Sequence, residues 1–257
     1  MLDTAVIPCG GLGTRLHPIT RWLPKEILPV GLKPLLFWTL DEAADAGLLR
    51  AIVITNPHKP VLEAAARNYP GPLQLEFVPQ DHPRGLGDAL LRARDHLAGA
   101  PFAVLLPDNL FRGPNPTAAV LATYTATQLA TVLLAEITQR TAGSKGATGR
   151  AAVRRAPDGT WRVSDIAPKG AGRFDPGGGP AVTPIGRFAL PGDIFADFDA
   201  VARELAPGQE LDDVPVLQRL AHRGALAGVM CEAEFFDVGV PDGYREAVAA
   251  YPPLAAS

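Results

Sequence analysis

The 257 residues are enough to bury one large core, and a composition 47% hydrophobic and 20% charged is that of an ordinary globular protein. A formal net charge of -3 and a pI near 6.0 exclude a broad basic footprint for nucleic acid, and no apolar run is long enough to span a bilayer. Two cysteines, Cys9 and Cys231, are too few for a disulfide framework, and the N-terminus enters a strand without a signal-like progression, so a cytoplasmic location is expected.

The first predicted element is a short apolar strand, Ala5 to Pro8, followed by the glycine turn Gly10, Gly11 and Gly13. Leu35 to Ala46 has helical spacing and ends at Gly47 as a C-cap. Ala51 to Thr55 is a continuous apolar run, as expected of a buried parallel strand. A helix over Pro60 to Asn68, a strand over Leu73 to Val78 and a helix over Gly85 to Ala98 follow. Phe102 to Leu106 is another buried strand, stopping at Pro107-Asp108-Asn109; then come a helix over Thr117 to Leu129 and a strand over Ala130 to Ile137. The second half is less regular. Thr141 to Gly149 and Gly177 to Pro180 read as flexible loops. Between them Ala151 to Arg155 and Thr160 to Ile166 flank Pro157-Asp158-Gly159, a good hairpin turn. A strand over Val182 to Leu190, helices over Ile194 to Leu205 and Val214 to His222, and a late strand over Phe235 to Val238 complete the reading.

This alternation predicts a Rossmann-like, doubly wound α/β sheet, mixed but mostly parallel, with helices on both faces and ligands at the carboxyl ends of the strands. One domain is expected over 1–257, divided near 140 into a nucleotide-binding half and an acceptor-binding half that share one sheet.

The residues able to carry chemistry gather at those strand ends. Glycines after a strand let backbone N–H groups approach an anion closely, while Arg15 adds a fork of donors and Lys25 a mobile point charge. An acidic protein that binds a polyphosphate needs such local cations, together with a metal. Asp108 and Asp237 both end apolar strands, and magnesium is commonly held by one or two carboxylates plus substrate phosphates. Gln80, ahead of Gly85-Leu86-Gly87, offers an amide to a base edge. Cys9 reads as a small, buried, neutral side chain. The five histidines show no metal-ligand spacing, and Walker, nucleophile-elbow and CxxC motifs are missing. A dinucleotide-dependent oxidoreductase would need a glycine where Leu16 stands and an acid where Thr55-Asn56 stand.

The motifs PCGGLGTRLHPIT…LPKEILPVGLKPLL, VPQ…PRGLGDALLRAR, PFAVLLPDNLF, VSDIAPKG, IGRFAL and FFDVGVPDGY occur in order through nearly the whole chain. Together they resemble the sugar-1-phosphate nucleotidyltransferases, specifically the UTP–glucose-1-phosphate uridylyltransferase branch. The resemblance implies a nucleotide-diphospho-sugar transferase fold. It also implies a reaction in which a nucleoside triphosphate, UTP favoured, and a sugar 1-phosphate give an NDP-sugar and pyrophosphate with Mg2+. By position, Gly10, Gly11 and Gly13 would wrap the nucleotide, Arg15 would hold the β- and γ-phosphates, and Lys25 would act at the α-phosphate. Gln80 and Gly85 would read the base, Asp108 and Asp237 would ligate magnesium, and Lys169 would bind the sugar phosphate. The family often forms dimers or tetramers, which makes a homo-oligomer an expectation.

Two departures bear on the acceptor. Pro168 stands where the family usually has a glutamate for sugar hydroxyls, and a usual G-E-x-Q-L-T-D run is represented only by Gly208 to Asp213. Glu210 or Asp213 would then take over hydroxyl contacts, and a non-standard sugar or cyclitol phosphate is expected. A non-catalytic, nucleotide-sugar-binding regulatory protein of the same fold is the competing reading. Retention of Arg15, Lys25, Asp108 and Asp237 argues against it.

Overall fold

The structure is a computed structural model that describes residues 2–137, 150–167 and 180–252. Its organising element is the first strand, β1 (Thr4–Pro8), which is buried along almost its whole length. Side chains alternate across a strand, so Ala5 and Ile7 join one core cluster while Val6 joins another on the opposite face. The chain then makes a two-stranded ribbon, β2 (Pro29–Val30) with β3 (Lys33–Pro34), and enters helix α1 (Leu35–Asp45). Strand β4 (Arg50–Thr55), helix α2 (Pro60–Ala66) and strand β5 (Gln74–Pro79) extend the sheet outward. Helices α3 (Leu86–Arg92) and α4 (Arg94–Leu97) lead to β6 (Phe102–Leu105).

Strand β6 pairs with β1 on the side away from β4. The winding therefore reverses between β1 and β6, and the carboxyl ends of these two strands open a crevice at the switch point, where ligands bind in open α/β sheets. The glycine turn leaves one strand and Asp108 follows the other.

Next come β7 (Asn109–Arg112), α5 (Pro116–Thr127), β8 (Ala130–Glu136), β9 (Arg150–Arg155), β10 (Trp161–Ala167) and β11 (Val182–Leu190). Helices α6 (Phe195–Glu204) and α7 (Val214–His222), strands β12 (Leu226–Met230) and β13 (Glu234–Asp237), and helix α8 (Pro241–Ala250) close the described chain. Among the described residues the main sheet has nine strands, ordered β5-β4-β1-β6-β11-β8-β12-β10-β9.

Helices cover both faces, as expected. Leu36, Leu40 and Leu62 of α1 and α2 pack on one face, and Leu90, Phe198 and Leu217 of α3, α6 and α7 on the other. The expectation of a mostly parallel sheet needs correction. Pairings from β5 to β6 are parallel, but β11 enters antiparallel to both β6 and β8, and β10 runs antiparallel to β12 and β9. The reason is connectivity: β9 and β10 form a hairpin, whereas parallel neighbours need a long crossover. The Thr141–Gly149 loop, most of Gly177–Pro180 and Lys169 lie outside the described residues.

Candidate active site

The glycine turn is held from beneath. Lys59, buried just past β4, donates from Nζ to the carbonyl of Cys9 at 2.9 Å and also to that of Gly11. Between them, Asn56 Nδ2 donates to the carbonyl of Gly10 at 3.3 Å. A Cβ on Gly10 would lie 2.3 Å from Gln80 Oε1, so only glycine lets the Gln80 amide sit against this loop. Gly13 has φ +66° and starts the helical turn Thr14–Leu16 that carries Arg15. Cys9 is fully buried, and burial above all pushes its thiol well above the ordinary value, which fits the expected inert, neutral side chain.

Asp108 stands on a turn whose geometry is imposed by β11. Arg187 is 1% exposed and uses all five of its donors: two reach Glu42 at 2.7 Å each, and the others reach the carbonyls of Leu106, Gly186 and Asn109 at 2.8–2.9 Å. The amide N–H of Gly186 donates to Asn109 Oδ1 at 2.9 Å. The turn from Leu106 to Asn109 is thus clamped on both sides of the aspartate.

Asp237 arrives by a different route. It is absent from the main sheet and ends β13, which pairs antiparallel with β7 so that Asp237 lies opposite Asn109. The Val238 N–H donates to the Asp108 carbonyl at 2.8 Å, joining the two strand ends. Gly239 marks the point of convergence. A Cβ built there would lie 2.9 Å from Asp108 Oδ2 and 3.1 Å from both Asp237 Oδ1 and Arg15 Nη2. Lys25 Nζ donates to the same Asp108 Oδ2 at 2.5 Å.

The electrostatics follow from that crowding. Burial pushes the Asp108 carboxyl up, but Lys25 and Arg15 outweigh it and hold the group below the usual carboxylate range. Burial likewise disfavours a charged Lys25, yet the Asp108 and Glu26 carboxylates raise its pKa. Asp237 carries the remaining strain: burial first, then the neighbouring Asp108 carboxylate, push it up to about 6 against the opposing pull of Arg15 and Lys25. Two carboxylates facing each other across Gly239 match the sparse oxygen set of a divalent cation that takes its other ligands from substrate phosphates, and the Arg15 guanidinium beside them suits those phosphates. Among the described residues, no cluster of three or more His, Cys, Asp or Glu offers a self-contained metal cage.

The far wall is built from β5 and the turn after it. Gln80 is buried, and its Nε2 donates to Asp88 Oδ2 at 2.7 Å and to the Gly85 carbonyl at 3.4 Å. Gly85 has φ +99°, and a Cβ there would meet the Leu211 carbonyl at 2.3 Å. Leu211 N–H donates to the Arg84 carbonyl and Gly87 N–H to the Leu211 carbonyl, at 2.9 and 2.8 Å. This short clamp brings the exposed Glu210 to the rim. A cleft of about 520 Å3 results, lined by Gly10, Gly11, Lys25, Gln80, Gly85, Asp108 and Glu210, among others.

Most of the residues singled out in the sequence therefore meet at one cleft, with Arg15, Gly13 and Asp237 adjoining it through Gly239 and the glycine turn. Glu210 sits beside the Gly85 wall, and Lys169 lies outside the described residues. Four further residues escaped the sequence reading: Glu26, Asn56, Lys59 and Arg187. The signals were present in Asn56-Pro57-His58-Lys59, polar groups just past a buried strand, and in Gly186-Arg187, an arginine inside an apolar strand.

The switch-point crevice, the anion-ready glycine turn and the paired carboxylates define an enzyme that transfers a nucleotidyl group between phosphates. The nucleotidyl transferase family matches residues 4–252, and the chain belongs to it, within the sugar-1-phosphate nucleotidyltransferases. A UTP–glucose-1-phosphate uridylyltransferase of Pseudomonas aeruginosa is 28% identical over 274 residues, covering 96% of this chain and 95% of that protein. The Streptococcus pyogenes UTP–glucose-1-phosphate uridylyltransferase 2 (serotype M3) is 26% identical over 268 residues, covering 94% and 87%. Among solved structures, a UDP-glucose pyrophosphorylase complexed with UDP-glucose aligns with a TM-score of 0.83 at 26% identity, covering 98% of each chain.

Proposed function

We propose that the protein joins UTP to a sugar 1-phosphate, and that Arg15, Lys25, Asp108 and Asp237 carry the reaction. The observation behind this reading is the convergence of Asp108, Asp237 and Arg15 on Gly239, with Lys25 bonded to Asp108, at the mouth of the glycine-lined cleft. A phosphate oxygen of the sugar 1-phosphate attacks the α-phosphorus in line, the bond to the bridging oxygen breaks, and pyrophosphate leaves with the electron pair. No protein nucleophile is needed. In this reading Lys25 acts at the α-phosphate and Arg15 at the β- and γ-phosphates, offsetting charge that builds as the bridge breaks. A magnesium ion on Asp108 and Asp237 would neutralise phosphate oxygens when bound.

The uracil preference is supported by Gln80. Its Nε2 is committed to Asp88 and Gly85, so Oε1, turned to Gly10, is the atom left to accept a hydrogen bond from the N3–H of uracil or thymine. Residues up to about 140 form the nucleotide half and the remainder the acceptor half, although Glu210 of the second half sits beside the Gly85 wall; Glu210 is assigned to the acceptor's hydroxyls and Lys169, by the family resemblance, to its phosphate. Pro168 in place of the family's glutamate supports an acceptor other than glucose 1-phosphate.

A matrix of nucleoside triphosphates against sugar and cyclitol phosphates, read by pyrophosphate release, tests all three statements. Release with UTP and a sugar 1-phosphate is expected. Silence across the matrix would overturn the reading, and a wide preference for glucose 1-phosphate would remove the altered acceptor.

A further inference from the structure

The pair Lys59 and Glu26 lies outside the reacting centre, yet it is among the least exposed charge pairs described: Lys59 is 9% exposed and Glu26 0%. Lys59 Nζ is 3.1 Å from each Glu26 oxygen. Burial pushes the Glu26 carboxyl up, and Lys59 and Lys25 pull it back without cancelling the rise. A buried ion pair of this kind is weak evidence for stability, because desolvation consumes most of what the attraction returns. Its bonds point to another use.

Three consecutive carbonyls, those of Cys9, Gly10 and Gly11, accept from Lys59, Asn56 and Lys59 in turn. In a planar trans peptide the C=O and the following N–H point in opposite directions. Drawing these carbonyls down towards Lys59 and Asn56 turns the N–H groups of Gly10, Gly11 and Leu12 the other way, and all three residues line the cleft. Successive N–H groups aimed into one concavity make an anion site. Glu26 follows Lys25 directly in the chain, so the same ammonium ties the turn to the segment that carries the reacting cation.

We propose that Lys59, assisted by Asn56 and fixed by Glu26, is the positioning residue that aims the glycine turn at the polyphosphate and sets its distance from Lys25. This rests on the reading of the cleft as a nucleotide site. Every donor of the ammonium is used in the arrangement, two on loop carbonyls and one shared by the carboxylate, so no proton of Lys59 is left for substrate. The group acts through the backbone it holds.

The test compares wild type with two variants, using calorimetric Kd values for UTP and inorganic pyrophosphate and steady-state constants for both substrates. The double variant Lys59→Met/Glu26→Gln removes the two charges together and leaves no buried ion unpaired. Asn56→Ala removes only the Gly10 anchor. The double variant is expected to weaken UTP and pyrophosphate binding about tenfold or more, and Asn56→Ala about threefold, while the KM for the sugar phosphate stays within twofold. A purely structural role would lower the melting temperature and leave these Kd values unmoved. A folded double variant that binds UTP and pyrophosphate within twofold of wild type overturns the proposal. If the double variant does not fold, unchanged Kd values in Asn56→Ala overturn it. Failure of the nucleotide reading itself would show separately, as wild-type protein that binds neither ligand.

Discussion

Replacing Asp237 by Asn is expected to stabilise the metal-free protein at pH 8. In the folded state burial and the Asp108 carboxylate push Asp237 up to about 6, against about 3.9 for an unfolded aspartate. Between these values the folded state binds more protons than the unfolded one, so stability falls as pH rises, and the penalty is complete above about pH 6. Two units at about 1.4 kcal/mol each set an upper figure of about 3 kcal/mol. Asn keeps an oxygen for the 3.1 Å bond from the Gly239 N–H and carries no charge to repel Asp108. In a protein of this size 3 kcal/mol corresponds to a melting-temperature gain of about 6–12 °C in EDTA at pH 8, shrinking towards zero near pH 4. Calorimetry of both proteins from pH 4 to 8 reads this directly. Added Mg2+ should then raise the wild type at pH 8 and leave Asp237→Asn nearly unmoved, narrowing the gap between them. An Asn variant no more stable than wild type at pH 8 in EDTA, or a difference independent of pH, refutes the argument that crowding of the two carboxylates sets this titration.

Lys25→Ala is expected to lower kcat about a thousandfold with a cooperative melt retained, because the charge stabilising the transition state is gone; near-normal turnover would refute the assigned role. Gly239→Ala puts a methyl 2.9 Å from Asp108 Oδ2 and should raise the Mg2+ concentration for half-maximal rate about tenfold or more, measured by metal titration at saturating substrates. Arg187→Met leaves Glu42 without its guanidinium and takes one donor from each of the Leu106, Gly186 and Asn109 carbonyls, and a loss of about 3–5 kcal/mol in denaturant unfolding is expected. If that loss is under about 1 kcal/mol, the Asp108 turn does not depend on the clamp.

Several elements were legible because their signals are local. Val214 to His222 and Val182 to Leu190 match their predicted bounds, and Gly47 ends the first helix with φ +86°. The helix expected over Gly85 to Ala98 is broken at Ala93 and begins only at Leu86, since Gly85 is reserved for the contact with Leu211. Strand β12, Leu-Ala-Gly-Val-Met, went unread because alanine and glycine dilute its β signal, and it is stabilised by pairing with β8. Strand β7 was hidden behind Asp108, and helix α8 behind a glycine and a proline in its first turn.

The amino-acid sequence by itself determined the chemistry on offer: which strand ends bear glycines, carboxylates, an amide and cations, and hence the class of reaction. Those are properties of residue types at local punctuation, and they survive without a fold. Only the tertiary structure decided how they meet. The reversal between β1 and β6 brings the glycine turn to Asp108, the β7–β13 ribbon carries Asp237 across from the far end of the chain, and Lys59 reaches under the turn from beyond β4. Each of these rests on contacts between residues tens to more than a hundred positions apart, which no local pattern encodes. Gly239 shows the division most plainly: in the sequence it is a residue after a strand, and in the fold it is the space around which two carboxylates and an arginine are arranged.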